Sequence, residues 1–360
     1  MKMSILSLDS ENTPQSISSN INIQDANGNT LTPIHVKIIN SRLSESCTFN
    51  ATIPIDVTYN TIPFFENGNS IDIYANTISS GSGNTTSEDK IFSGKIDRST
   101  FNPPKRILNL SGRDWSASLI NYEISGESFL NMTASDAISY LANQVGLSAD
   151  VDNTSGFIGQ FYQYEHKAHG LSGMHRYQTA WDLCVGMQHE YGYDLWVENK
   201  TLHFKKKPEN DNIITLEWNN QTDNSNSFQR SILDINLLNN HIYSEAIYVK
   251  VSSWDARQKI IHSAQYPENS TSGHAFNFTA PIGTTTDQCK NIAQRRYTEI
   301  MAHGKNIELH LHPYLNISTR QLIKINGTGT SFDSEVYTVD RVVIEYSGKS
   351  TTKKAILRPR

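Results

Sequence analysis

The stretch from Ile91 to Asp114 constrains this chain more than any candidate catalytic residue. It reads Ile91-Phe-Ser-Gly-Lys-Ile-Asp97, breaks at Asn102-Pro103-Pro104, and resumes as Leu108-Asn-Leu-Ser-Gly-Arg-Asp114. Phe92 and Ile96 share one strand face, and Gly94 between them marks a close backbone approach or a bend. Gly112-Arg113-Asp114 reads as a turn in which the carboxylate accepts hydrogen bonds from nearby backbone or from Arg113. Two strands, a turn and a capped helix in that order describe a mechanical part better than an enzyme.

The strands before it follow the same rule. Cys47, Phe49, Ala51, Ile53 and Ile55 alternate with polar residues, the period of a half-buried strand, and Pro54 places that strand at an edge or an end. Ile71, Ile73 and Ala75 repeat the alternation, and Gly81 to Thr86 reads as a flexible hairpin loop. Short antiparallel strands with such bends favour a small barrel over residues 1–122.

From about residue 123 the period changes. Thr133-Ala-Ser-Asp136 has the spacing of a capping box and Gly146 ends the helix it opens; Thr179-Ala-Trp-Asp182 repeats the signature and ends at Gly192. Each Thr lies thirteen residues before its Gly, and the copies are 46 residues apart, the spacing expected of a local duplication. The second helix leads into Leu195 to Phe204, a hairpin turning at Asn199-Lys200. Residues 123–213 therefore read as an α/β module with two capped helices.

Strands resume at about 214, and a third helix follows Thr285, with Cys289, Ile292, Ala293, Tyr297, Ile300 and Met301 as its stripe and Gly304 as its end. Residues 214–250 and 305–360 read as a second barrel, and 251–304 as an insertion carrying that helix. The fold class is α+β and mainly β, with two similar small antiparallel β-barrels plus α/β insertion modules.

The 360 residues suffice for two to four cores, and a net charge of −5 supplies no basic field for holding nucleic acid. No apolar run reaches membrane-spanning length, and the amino end has too short an apolar run for a signal peptide, so the product is expected to fold in the cytoplasm without stable membrane insertion. Three distant cysteines form no CxxC pair, which argues against a zinc ribbon or a disulfide framework.

Phe92, Gly94, Ile96 and Asp97, followed by Gly112, Arg113 and Asp114, then by the helix starts at Thr133 with Asp136 and Thr179 with Asp182, form an ordered series. With Gly327-Thr-Gly329 before Phe332 to Val339, it resembles the tail hub proteins of phage baseplates, the late-control tail proteins and the front half of type VI secretion spike proteins. That resemblance implies a homotrimer whose paired barrels form a pseudo-sixfold ring. Such a ring joins a hexameric tail tube, or a distal tail protein ring, to a trimeric spike. DNA passes through its lumen without sequence-specific binding, at the virion tail tip after assembly in the host cytoplasm. Because the sequence stops at Arg360, directly after the last barrel strands, the spike is expected to be a separate protein. The 16 Tyr suit large subunit interfaces.

Sharper chemistry finds little support. His310 and His312 share a strand face beside Glu308, without a third metal ligand fixed by spacing. Asp114 and Glu127 as a glycosidase pair conflict with a structural role for Asp114. No nucleophile elbow, zincin pair or phosphate loop occurs, so no catalytic residue, metal or cofactor is assigned. Lys205-Lys-Lys207 reads as a solvated hairpin edge, and the five Trp as core-packed. The alternative function is a β-rich receptor- or polysaccharide-binding tail component, with or without hydrolase activity.

Overall fold

The computed structural model describes residues 4–5, 17–25, 28–55, 70–79, 85–125, 127, 129, 132–155, 158, 177–207, 213–218, 232–241, 247–255, 258–270, 272–280, 284–313, 315–348 and 350–360. Residues 81–84 of the expected hairpin loop lie outside them. The chain is mainly β with few helices. Its first part holds β1 (Ser4–Ile5), β2 (Ile17–Asp25), β3 (Thr30–Leu31), β4 (His35–Ser41), β5 (Thr48–Pro54), β6 (Ser70–Ser79), β7 (Thr85–Asn102) and β8 (Ile107–Asp114). The middle holds α1 (Ser116–Ile120), α2 (Ala134–Gln144), β9 (Ser148–Val151), α3 (Ala180–Tyr191), β10 (Asp194–Glu198) and β11 (Thr201–Lys205). Then come β12 (Ile213–Glu217), β13 (Ile232–Asn239), β14 (Ile247–Asp255), β15 (Ile260–Tyr266), β16 (His274–Thr279) and α4 (Thr286–Met301). The chain closes with β17 (Lys305–Leu311), β18 (Leu322–Asn326), β19 (Val336–Ser347) and β20 (Ser350–Pro359).

Fourteen of these strands form one continuous sheet, which carries two separate cores. The first β unit runs β3-β2-β6-β7-β8-β5-β4 and buries Ile23, Ile38, Phe49, Ile53, Ile73 and Leu108. In the second, β19 pairs with β18 and β20, β20 pairs with β17, and β17 with β13, around Leu309, Ile323, Ile325, Tyr337 and Leu357. One seam joins them: Arg341 to Tyr346 of β19 lie antiparallel to Val36 to Ser41 of β4. A register shift between Val339 and Arg341 lets β19 leave β18 and continue along β4, so its Val342 packs in the second core and its Tyr346 in the first.

The α/β module packs α2 and α3 on the sheet β10-β11-β9, burying Ile138, Leu141, Leu183, Leu202 and Phe204. The hairpin β10–β11 turns through Asn199 and Lys200, both with positive φ, as a two-residue type I′ connection requires. The two helix-to-strand units are wired differently, since β9 runs parallel to β11 and β10 antiparallel to it, so the equal Thr-to-Gly spacing does not extend to duplicated topology.

A third core sits between α4 and the sheet β15-β14-β16, around Val249, Val251, Cys289 and Ala293. This module begins at Ile247 instead of 251: the strand divided by the sequence reading is one piece, and its alternation reports a buried face without saying which sheet owns it. Helix α4 ends at Ala302 with a right-handed cap, ahead of Gly304. Trp254 departs from the core-packed expectation, being 46% exposed on the outer face of β14 opposite Ile261.

Candidate functional site

The seven residues of the Ile91 to Asp114 motif converge on the β7–β8 seam. Gly94 faces Asp114 and Ile96 faces Gly112 across it. A Cβ at Gly112 would lie 1.9 Å from the Lys95 carbonyl oxygen, and one at Gly94 would lie 2.3 Å from that of Arg113. Only glycine permits that backbone approach. The phenyl ring of Phe92 packs tilted on Phe49, with centroids 5.2 Å apart. The register shifts between Ile96 and Arg98, leaving Asp97 as the extra residue. Its carboxylate accepts a two-pronged contact from Arg113, Nε to Oδ2 at 2.6 Å and Nη2 to Oδ1 at 3.0 Å.

Gly112-Arg113-Asp114 is the end of a strand, which corrects the expected turn. Leu108, Leu110, Gly112 and Asp114 continue one inward-facing alternation, so the carboxylate occupies a core-side position. Its Oδ2 accepts from Cys47 N at 3.1 Å, and its Oδ1 accepts from Ser116 N at 3.1 Å and from the Ser116 hydroxyl. Burial pushes its pKa above the usual carboxylate range, against the pull of those donors. Arg113 serves Asp97, not Asp114. Asp114 thus pins β8 to the β4–β5 connection and starts α1.

The helix starts are built from the sequence outward. Thr133 Oγ1 accepts from Asp136 N at 3.1 Å, while Asp136 Oδ2 accepts from Thr133 N at 3.1 Å. Thr179 and Asp182 make the same reciprocal pair at 3.2 Å each way. These hydrogen bonds hold the Asp136 carboxyl below its usual range.

A second constellation, which sequence reasoning missed, lies where the two β units meet the α/β module. Arg42 Nε lies 3.4 Å from Asp194 Oδ1, and its Nη1 lies 3.3 Å from Asp340 Oδ1. Arg358 Nε reaches Asp340 Oδ2 at 3.2 Å, and Arg341 reaches Glu45 at 2.9 Å. Asp340 is buried, which raises its pKa, while Arg42 and Arg358 pull it down. Trp181 Nε1 donates to Ser44 O at 3.2 Å, and Ser44 Oγ to Gln188 at 2.8 Å, so α3 is bound to the β4–β5 connection as well. The two β units and the α/β module are joined by one polar junction.

Hydrolytic chemistry is poorly served by what surrounds these groups. Glu127 accepts from Tyr122 at 2.8 Å and Tyr140 at 3.0 Å, a structural use of its carboxylate. Burial pushes the Cys47 and Cys184 thiols up to about 12, so neither is a thiolate nucleophile near neutral pH. His310 lies 3.6 Å from Glu308, which also contacts Lys354 across the β17–β20 pair. Lys205 is paired with Asp150 at 2.5 Å and Asp152 at 3.2 Å.

No protein-family model matches this sequence, and no curated protein matches it. Solved structures match its fold. A tail protein from Neisseria meningitidis MC58 superposes with a TM-score of 0.70 at 14% identity, covering 95% of this chain and 96% of that one. The 43 kDa tail protein of prophage MuSo2 from Shewanella oneidensis gives 0.68 at 11% identity, covering 94% and 98%. A chain of the Francisella PdpA–VgrG complex gives 0.56 at 12% identity, covering 97% of this chain and 59% of that one. The chain has the fold of the two tail proteins over nearly its whole length.

Proposed function

We propose that this chain is a structural hub at the tip of a phage-type tail, joining the tail tube to a central spike. In this reading three copies form a ring, each contributing two β units, so that six units meet the tube on one face while threefold symmetry is kept for the spike on the other. One observation carries it: two separately packed cores sit side by side on one continuous sheet and are joined by the β4–β19 seam. A rigid pair of β units is what a threefold-to-sixfold adaptor needs from each subunit. The full-length fold match to tail proteins supports the setting, and the match to a chain of the PdpA–VgrG complex supports the spike side.

In this reading the chain divides into a first β unit to about residue 122, an α/β module to about 213, and a second β unit interrupted by the α4 module; the four cores support that division. Leu233 and Leu238 on β13, 51% and 59% exposed, are apolar surface available to ring neighbours. A ring of this kind buries more than about 2,000 Å² per interface. A mildly acidic lumen wall would let DNA slide through by repulsion, and the net charge of −5 permits one.

Light scattering with mass measurement on the purified chain tests the assembly. The expected result is a mass of three chains that survives dilution. A species that stays monomeric when mixed with its tail tube, or turnover of peptidoglycan abolished by one carboxylate substitution, would overturn the hub reading.

A further inference from the structure

A cleft of about 480 Å³ opens between the first β unit, the β10–β11 hairpin and the loop before β18. Ile91, Phe92 and Val197 give it apolar lining, and Lys206 and Arg320 line it with cations. That volume lies in the range of small-ligand sites, about 300–1,000 Å³. What separates it from an ordinary surface fold is the state of its charges.

The cleft's carboxylates are largely engaged elsewhere. Asp114 is turned to Cys47 N and Ser116, and Asp194 is paired with Arg42. Glu198 is exposed at the end of β10. Two of its cations are also engaged, Lys90 with Asp72 at 2.7 Å and Lys205 with Asp150 and Asp152. Arg320 differs. Its Nη1 donates to Thr319 Oγ1 at 2.9 Å and its Nη2 to the Leu195 carbonyl at 3.1 Å, both uncharged acceptors. Its buried Nε has no hydrogen-bond partner among the described residues. Burial pushes the guanidinium pKa down to about 10 although Asp194, Cys47 and Glu198 oppose the shift from a distance. The guanidinium is held in orientation over the Trp196 ring, 4.5 Å from its centroid, and that ring also stacks with His203 at 4.6 Å. With Trp196 engaged in this way, the cleft offers charge and not an open stacking face.

A desolvated guanidinium without a carboxylate in direct contact is costly, and a planar two-oxygen anion relieves it best. We propose that this cleft binds a carboxylate-bearing ligand, with the carboxylate against Arg320 and a second contact from Lys206. The site lies within a single chain, so it stands or falls independently of trimer formation. The carboxylate has two sources of the same chemistry, a small free polycarboxylate or an acidic peptide segment of a partner.

The test titrates the full chain, at constant ionic strength set with chloride, with citrate and separately with an amidated Glu-Glu-Asp-Glu peptide. The peptide's Gln/Asn counterpart serves as control, and Trp fluorescence and melting temperature are followed. Saturable binding of at least one acidic probe is expected, with the neutral peptide silent. Affinity should fall roughly tenfold in Arg320→Gln and about threefold in Lys206→Gln, the losses expected for a two-pronged and a single charged contact. Response to citrate alone assigns the site to a free small carboxylate, and response to the peptide alone assigns it to a partner segment. If Arg320→Gln does not fold, Lys206→Gln, altered at an exposed side chain, carries the comparison. Absence of saturable binding by both probes, or undiminished affinity in the folded variants, overturns the proposal.

Discussion

The β7–β8 seam and the β4–β19 seam are both antiparallel, but opposite means hold them. At β7–β8 two glycines bring backbones together, and the flanking ion pair joins Arg113 to Asp97, only 16 positions away. At β4–β19 the backbone pairing is flanked by buried charges, and Arg42 meets Asp340 across 298 positions. The first seam lies inside a unit and is assembled from neighbours in sequence. The second lies between units, and its charge cluster draws on both β units and on Asp194 of β10.

Removing charge from the second seam should have the largest effect. Arg42→Leu leaves Asp194 and Asp340 buried with a counter-charge missing, at a cost of about 3–5 kcal/mol near neutral pH. Asp340 has a raised folded pKa, so the folded protein takes up its proton more readily than the unfolded chain. The penalty of the variant should therefore shrink as pH falls through that raised value. Urea unfolding at pH 7 and pH 5 measures this, and a penalty that grows in acid would contradict the assignment.

Gly112→Ala tests the first seam. The added methyl meets the Lys95 carbonyl, a backbone atom that moves only with its strand, and the expected loss is about 1–3 kcal/mol. An unchanged unfolding midpoint would mean that β7 and β8 are not so closely apposed. Thr133→Ala and Thr179→Ala, away from both seams, should each cost about 1 kcal/mol as lost helix caps. Circular dichroism melts of both variants check whether the two caps are equivalent. The smallest effect is an absence of reaction: Cys47, near both seams, and Cys184 should resist iodoacetamide at pH 8 in the folded chain and react once it is unfolded.

The same contrast explains what could be read from the sequence. Thr133 with Asp136, and Thr179 with Asp182, are legible because a capping box is closed within three residues. The residues of the β7–β8 seam were legible as a group, but their geometry was not. A carboxylate after Gly-Arg looks like a turn, and only the inward alternation from Leu108 to Asp114 reveals a strand that carries Asp114 into the core side. For Ile247 to Asp255, periodicity gave the buried face and could not give the sheet, since pairing with β15 and β16 depends on residues further along. Arg42, Asp194, Asp340 and Arg358 carried no local signal. Each is an ordinary charged residue until the two units are brought together.

The most direct test of the hub account is a reconstruction of the tail tip that contains this chain, with copies counted around the channel. The account predicts three copies, with first and second β units alternating in a ring of six and the β4–β19 seam intact in each. Any other copy number, or a ring built from one of the two units alone, would contradict it.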